Sequence, residues 1–85
     1  MKLPVIKSIT EFIEKNDEDF VTETVEVLEH LCDSDVLKDE ELDVVGELIS
    51  NMLGAVEVQK EIASGKDKKE ALNGFMKRVL GSIDK

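Results

Sequence analysis

The most apolar part of the chain is the stretch VVGELISNMLGAV, which covers residues 44–56. Its apolar residues recur every three or four positions, the spacing typical of an amphipathic helix. The pattern keeps its phase across Gly54 and continues on both sides, so we predict one helix of about 24 residues, about 36 Å long. We expect this helix to begin near Asp39 as its N-cap and to end near Ser64, with Gly65 at the C′ position.

The apolar arc of this predicted helix is wider than packing on one side requires. A helix packed on one side needs an arc of roughly 100°, whereas this arc covers about 220°. The residues that extend the arc are Val44, Leu48, Ala55, Val58 and Ile62. We therefore expect the helix either to be central in its own fold or to pack also on a second copy of the chain, as a homodimer.

Three small residues interrupt the stretch at a spacing of four, namely Gly46, Ser50 and Gly54. Gly46 borders the apolar face and is predicted to allow a close helix crossing, because glycine has no Cβ. Gly54 falls by angle among acidic residues, and no packing role follows for it. The predicted residues of a self-association interface on this helix are Gly46, Ser50, Val44, Leu48 and Ala55.

Three shorter helices are predicted at about residues 4–15, 18–32 and 68–83, with a loop over residues 33–38. Asn16 or Asp17 is the candidate N-cap of the second helix, and Asp67 with Glu70 forms a capping-box-like pair for the last. The predicted buried faces are Val5, Ile6, Ile9, Phe12 and Ile13 in the first; Phe20, Val21, Thr24, Val27, Leu28 and Leu31 in the second; and Leu72, Phe75, Met76, Val79, Leu80 and Ile83 in the last.

Length and composition favour one all-α domain over residues 1–85, a compact four-helix bundle that dimerisation could complete. Hydrophobic residues make up 41% of the chain, within the globular range. The net charge of −9 disfavours nucleic acid and anionic membrane surfaces as partners. No apolar run approaches the ~20 residues of a membrane span, and the single cysteine is typical of a cytoplasmic protein.

Charge is segregated along the chain. Residues 16–43 carry a net charge of −11, and residues 66–85 carry +3. The acidic second helix and the basic last helix are therefore candidates to lie side by side, in one chain or across a dimer. Three acids of the second helix lie outside its predicted buried stripe and are expected to face water or a basic protein partner: Glu23, Glu26 and Glu29.

Residues with catalytic or metal-binding chemistry are few. His30 and Cys32 lie about 200° apart on a helix, so they do not form a ready pair of metal ligands. The loop at residues 33–38 differs from a calcium-binding EF-hand loop, because Leu37 and Lys38 stand where an acidic ligand and a glycine belong. No motif places a nucleophile beside His30, so we predict no enzyme activity, no cofactor and no metal.

The size, acidity and helical content resemble those of acyl carrier proteins, and DSDV, residues 33–36, is similar to their Asp-Ser-Leu attachment motif. This resemblance implies a carrier modified on Ser34. The chain departs from that family in two ways, because Asp35 stands where the family has Leu and the second helix replaces a long loop. A thiol protein that acts through Cys32 is a third hypothesis.

The stretches MKLPVIKSITEFIEKNDEDFV, ELDVVGELISNMLGAVEV and KKEALNGFMKRVLGSIDK resemble short helical proteins of unknown function from Bacteroidota. The resemblance covers nearly the full length and implies a bacterial cytoplasmic protein, with no activity or binding residues to carry over. From the residues themselves, we predict a non-enzymatic acidic interaction module that self-associates.

Overall fold

The structure, a computed structural model, describes the backbone of residues 2–83 and the side chains of residues 2–79. Within these residues the chain forms four α-helices and no strand, which confirms the predicted all-α fold. The helices are α1 (Leu3–Lys15), α2 (Asp19–Asp33), α3 (Asp39–Ala63) and α4 (Lys68–Ile83). The longest, α3, has 25 residues and runs through Gly54 without a break, as predicted.

Carboxylates accept backbone N–H groups at the starts of three helices. The N-cap predicted for α2 at Asn16 or Asp17 is wrong, because Glu18 is the N-cap. The Asp17 side chain nevertheless accepts the Asp19 N–H at 3.0 Å, so it satisfies a donor in the first turn. The N-cap predicted for α3 is wrong by one residue, because Asp39 already has a helical backbone and Lys38 is the N-cap. The carboxylate of Glu41 accepts the Lys38 N–H at 2.9 Å and satisfies that donor.

A tight turn joins α3 to α4. Gly65 has φ of +113°, a conformation that side chains disfavour, and its N–H donates to Ile62 O at 3.0 Å. The predicted glycine at C′ is therefore confirmed. One residue before α4, Asp67 accepts the Lys69 N–H at 3.2 Å, as expected of its N-cap. After this turn α4 packs on α3.

The long helix α3 is the spine of the fold, because α1, α2 and α4 all pack on it. Every residue of α3 that is buried lies between positions 51 and 58, and none of residues 39–50 is buried. The core is aliphatic apart from one phenylalanine and consists of Ile6, Ile13, Val21, Ala55, Val56, Val58, Ala71, Leu72 and Phe75. The first half of α3 is thus covered only in part.

The closest helix crossing lies at Gly54 and not at Gly46. A Cβ on Gly54 would stand 2.9 Å from Cζ of Phe75 and 3.5 Å from Cδ1 of Ile6. A Cβ on Gly46 would have no atom of the chain within 4 Å, so the crossing predicted there is wrong within one chain. The acids on the same face as Gly54 had suggested that this face is open to solvent. One of them, Glu61, instead pairs with Arg78 of α4, so α4 covers the face. Four glycines lie inside helices, namely Gly46, Gly54, Gly74 and Gly81.

The predicted buried stripe of α2 is confirmed at Val21 only among the buried residues, and the rest of the stripe differs. Val21 and Val25 are buried, with Val25 only 4% exposed, whereas Phe20 and Val27 are 58% and 60% exposed. Val25, Leu28 and Cys32 follow Val21 at helical spacing, so α2 carries two overlapping apolar stripes. The helix packs the Val21 stripe on α3 and leaves most of the Phe20 stripe exposed.

The predicted faces of α1 and α4 are confirmed in part. Ile6 and Ile13 of α1 are buried, but Phe12 is exposed. Thr10, which the prediction omitted, is fully buried, and its hydroxyl donates to Ile6 O at 2.8 Å. Two positions of the predicted α4 face and one helical glycine lie outside the residues whose side chains or surroundings are described: Leu80, Ile83 and Gly81.

The molecule is flat, with extents of 41 × 35 × 17 Å. Packed helix axes lie about 8–10 Å apart, so the shortest dimension holds two layers of helices. In such an arrangement even the spine helix keeps one side near the surface. The shape explains why the wide apolar arc of α3 is not fully covered by the described residues.

Candidate functional site

One apolar row on α3 is buried at one end and exposed at the other. Ala55 and Val58 are fully buried in the core. Val44 and Leu48 precede them in the same row at helical spacing, and they are 61% and 38% exposed. These two residues, termed the α3 patch, are an apolar surface that the described part of the chain leaves open.

A shallow groove lies beside the α3 patch, where the start of α1 meets the middle of α3. Asn51 anchors this junction and is 1% exposed. Its Oδ1 accepts the Lys2 N–H at 3.0 Å, and its Nδ2 donates to Glu47 O at 2.8 Å. The remaining lining residues are Val5, Asp43, Val44 and Leu48. Asn51 was not among the predicted site residues, although an amide within an apolar row is a signal of a specific buried partner.

The predicted interface residues of α3 do not form one surface. Val44 and Leu48 are exposed together in the α3 patch, whereas Ala55 is fully buried in its own core and must be removed from the set. Gly46 and Ser50 are half-buried. Two residues after Val44, Gly46 is turned by about 200° around the helix, and therefore faces away from the patch.

The acids of α2 lack basic partners within the described residues, whereas those of neighbouring helices have them. Lys68 pairs with Glu14 of α1 at 3.1 Å, and Arg78 pairs with Glu61 of α3 at 3.2 Å. The acidic residues predicted to face water or a partner are all exposed: Glu23, Glu26 and Glu29. Of the two alternatives for the acidic α2 and the basic α4, packing within one chain is not observed, because α2 packs on α3 and the described ion pairs of α4 run to α1 and α3.

Arg78 holds α4 against α3 through a two-point contact. Its Nη1 and Nη2 donate to Oε1 and Oε2 of Glu61 at 3.2 and 3.3 Å. Lys66 adds a second base at 3.3 Å from the same carboxylate. The hydrogen bond from Arg78 is the main reason that the pKa of Glu61 lies below its ordinary value, with Lys66 contributing in the same direction.

A second apolar surface lies where α1 and α2 meet. Phe12 and Phe20 are both exposed, and their rings pack edge to face with centroids 6.1 Å apart and an interplanar angle of 82°. They flank a hollow, termed the α1/α2 groove, whose other lining residues are Ser8, Ile9, Val21, Thr24 and Met52. A neighbouring hollow beside Phe20 is lined by acids: Asp17, Asp19 and Glu23. An apolar surface and an acidic surface thus adjoin along α2.

The residues with reactive side chains are spread along the end of α2. His30 is exposed and Cys32 is half-buried. The Ser34 hydroxyl is exposed at the C-cap and donates to His30 O at 2.6 Å. No group of three or more potential metal ligands occurs among the described residues. Likewise, no helix in residues 2–83 combines the length and the apolarity needed to cross a bilayer.

Comparison with protein families identifies the chain over nearly its full length. The model of a family of unknown function (DUF6952) matches residues 1–84. The chain belongs to this family. No curated protein and no solved structure matched in the corresponding searches. Membership of DUF6952 confirms the predicted resemblance to a family without an assigned function, and it covers all four helices together with both apolar surfaces.

Proposed function

We propose that the protein is a non-enzymatic, acidic interaction module that self-associates through the α3 patch. The observation that carries the proposal is the abrupt change in side-chain burial along one row of α3, which is buried at Ala55 and exposed at Val44 and Leu48. Apolar rows of this kind are stabilised when a second helix removes them from water. In a two-fold dimer the same patch would meet its own copy, which satisfies the requirement for self-complementarity.

Analytical light scattering at tens of micromolar tests this proposal. We expect the mass of a dimer for the wild type and the mass of a monomer for Leu48→Glu, because a buried carboxylate opposes association. Leu53→Glu is the matched control, since Leu53 is a leucine of the same helix that is exposed on another side. It should remain a dimer, and both variants should keep the helical circular dichroism of the wild type.

A monomeric wild type at this concentration would refute self-association. Equal dissociation by Leu48→Glu and Leu53→Glu would refute the assignment to the α3 patch, since added charge alone would then account for the effect.

The carrier and thiol hypotheses predict covalent change at Ser34 or Cys32. The intact mass of the protein from its native host separates them, because a phosphopantetheine adduct supports the carrier and an adduct on Cys32 supports the thiol protein. An unmodified mass supports the interaction module. The resemblance to Bacteroidota proteins further supports a proposed bacterial source and a cytoplasmic location.

A further inference from the structure

The exposed stripe of α2 has the spacing of a helix-packing surface. Phe20, Thr24, Val27 and Leu31 stand at intervals of four, three and four residues, and the first three are exposed while Leu31 is half-buried. The α1/α2 groove continues the stripe onto α1 through the edge-to-face contact between Phe12 and Phe20. From Phe20 to Leu31 the stripe spans about 16 Å, which matches about three turns of a partner helix.

Charge around the stripe selects the kind of partner. The α2 sequence contains no Lys or Arg and carries five acids, and two further acids precede it directly. Three of these acids adjoin Phe20, namely Asp17, Asp19 and Glu23. None of the α2 acids pairs with a base among the described residues, although acids of α1 and α3 do. The stripe therefore presents apolar side chains beside uncompensated negative charge.

The competing occupants fit this surface less well. A second copy of α2 would bring two acidic helices together, and repulsion between like charges opposes that contact. Phosphate groups of lipids and nucleic acids are repelled for the same reason. A cationic amphipathic helix satisfies both features at once, because it offers an apolar face flanked by bases.

We propose that the exposed α2 stripe and the α1/α2 groove bind a lysine- or arginine-rich amphipathic helix of another protein. Its apolar side chains lie on Phe12, Phe20 and Val27, and its bases face Glu23 and Glu26. This inference rests on the proposed role as an interaction module, and it does not depend on self-association through the α3 patch.

A designed peptide provides the test. The probe is an 18-residue helix of leucine and lysine with one tryptophan on its apolar face. The protein contains no tryptophan or tyrosine, so the fluorescence of the indole reports the peptide alone. One control peptide carries glutamate in place of lysine. Another has the same composition in an order that destroys the apolar face. We expect the amphipathic cationic peptide to bind in the micromolar range and both controls to bind at least about tenfold more weakly.

Two matched pairs of protein variants locate the site. Val27→Gln should weaken peptide binding by about fivefold or more, because it removes apolar area from the stripe. Val36→Gln should leave binding unchanged, since Val36 is equally exposed but lies in the loop after α2. The double variant Glu23→Gln with Glu26→Gln should weaken binding more than Glu40→Gln with Glu70→Gln, although both pairs change the net charge equally.

Failure of this inference is distinct from failure of the proposed function. Equal effects within each matched pair would overturn the α2 site, as would absence of peptide binding. If Leu48→Glu abolishes peptide binding and Val27→Gln does not, the peptide binds the α3 patch, and the α2 site is overturned. The light-scattering mass of the wild type does not depend on these results, so self-association stands or falls separately.

Discussion

Gly54 has the most restrictive surroundings among the glycines whose contacts are described, because the Phe75 ring occupies the space that a side chain would need. We predict that Gly54→Ala destabilises the fold by about 1–3 kcal/mol through overpacking, despite the better helix propensity of alanine. Gly46→Ala is the control within the same helix, and it should stabilise by up to about 1 kcal/mol, since nothing stands near its new Cβ. Urea unfolding followed by circular dichroism measures both changes.

A double-mutant cycle identifies the cause of the Gly54 effect. In the Phe75→Leu background the ring is absent, and Gly54→Ala should therefore cost less than in the wild type. If the cost is the same in both backgrounds, the contact with the Phe75 ring does not explain why glycine is needed.

Glu61 links the stability of the fold to pH. Its pKa is lowered in the folded state, chiefly by Arg78, so the ionised form is favoured by folding. This contribution is fully present above the ordinary glutamate pKa and is lost as pH falls through the lower folded value. We predict that Glu61→Gln is less stable than the wild type at pH 7, and that the difference shrinks below about pH 4.5 as Glu61 takes up a proton.

Thermal unfolding of both proteins between pH 7 and pH 3 measures this effect. Glu70→Gln is the control, since Glu70 is exposed and pairs with no base among the described residues. A gap between wild type and Glu61→Gln that stays constant over this range would exclude the pH linkage at Glu61.

At the scale of single elements, the sequence predicts that α2 is a helix but does not predict which side of it is buried. The helical period, the acidic start and the loop at residues 33–38 were sufficient to predict the element. The buried stripe could not be chosen, because Phe20 and Val21 begin two stripes of similar hydrophobicity. Only the surface offered by α3 decides between them. The same reasoning explains Gly54. Acids share its face of the helix, whereas the atoms nearest to it in space belong to the apolar side chains of Phe75 and Ile6.

The two stripes of α2 predict opposite results for equivalent substitutions. Val25→Ala should destabilise by about 1.5–3 kcal/mol, because it removes buried methyl groups and leaves a cavity. Val27→Ala should be neutral or stabilise by a few tenths of a kcal/mol, since Val27 is exposed and alanine is the better helix former. Denaturant midpoints at constant m-value provide the comparison. A larger loss at Val27 than at Val25 would show that α2 is rotated relative to the structure described above.

At the scale of the whole molecule, the candidate site could be predicted only in part. Val44 and Leu48 were found from the wide arc of the long helix, and the acidic face was found from charge counts. Phe12 and Phe20 were predicted as core residues, because both fall on apolar stripes at helical spacing, and spacing alone does not show whether another helix covers a stripe. A fold that is only 17 Å thick has too few layers to cover every stripe.

Salt concentration distinguishes the two proposed interactions. Each chain carries a net charge of −9, so screening should strengthen contact between two copies. Binding of a cationic helix to α2 should weaken over the same range, because attraction between opposite charges is screened. Dissociation constants measured at about 20 and 500 mM NaCl test both trends. Self-association that weakens with salt would mean that ion pairs, rather than the α3 patch, hold the copies together.

The edge-to-face contact of Phe12 with Phe20 has a spectroscopic consequence. In this arrangement the edge protons of one ring point into the shielding cone of the other, and their resonances shift upfield. The chain has only three phenylalanines, and the third, Phe75, lies in the core against Gly54. In the aromatic region of a proton spectrum, the Phe75 signals therefore report on the core, and the Phe12 and Phe20 signals report on the surface. A ligand that separates the outer rings would move their signals towards random-coil positions while those of Phe75 stay in place.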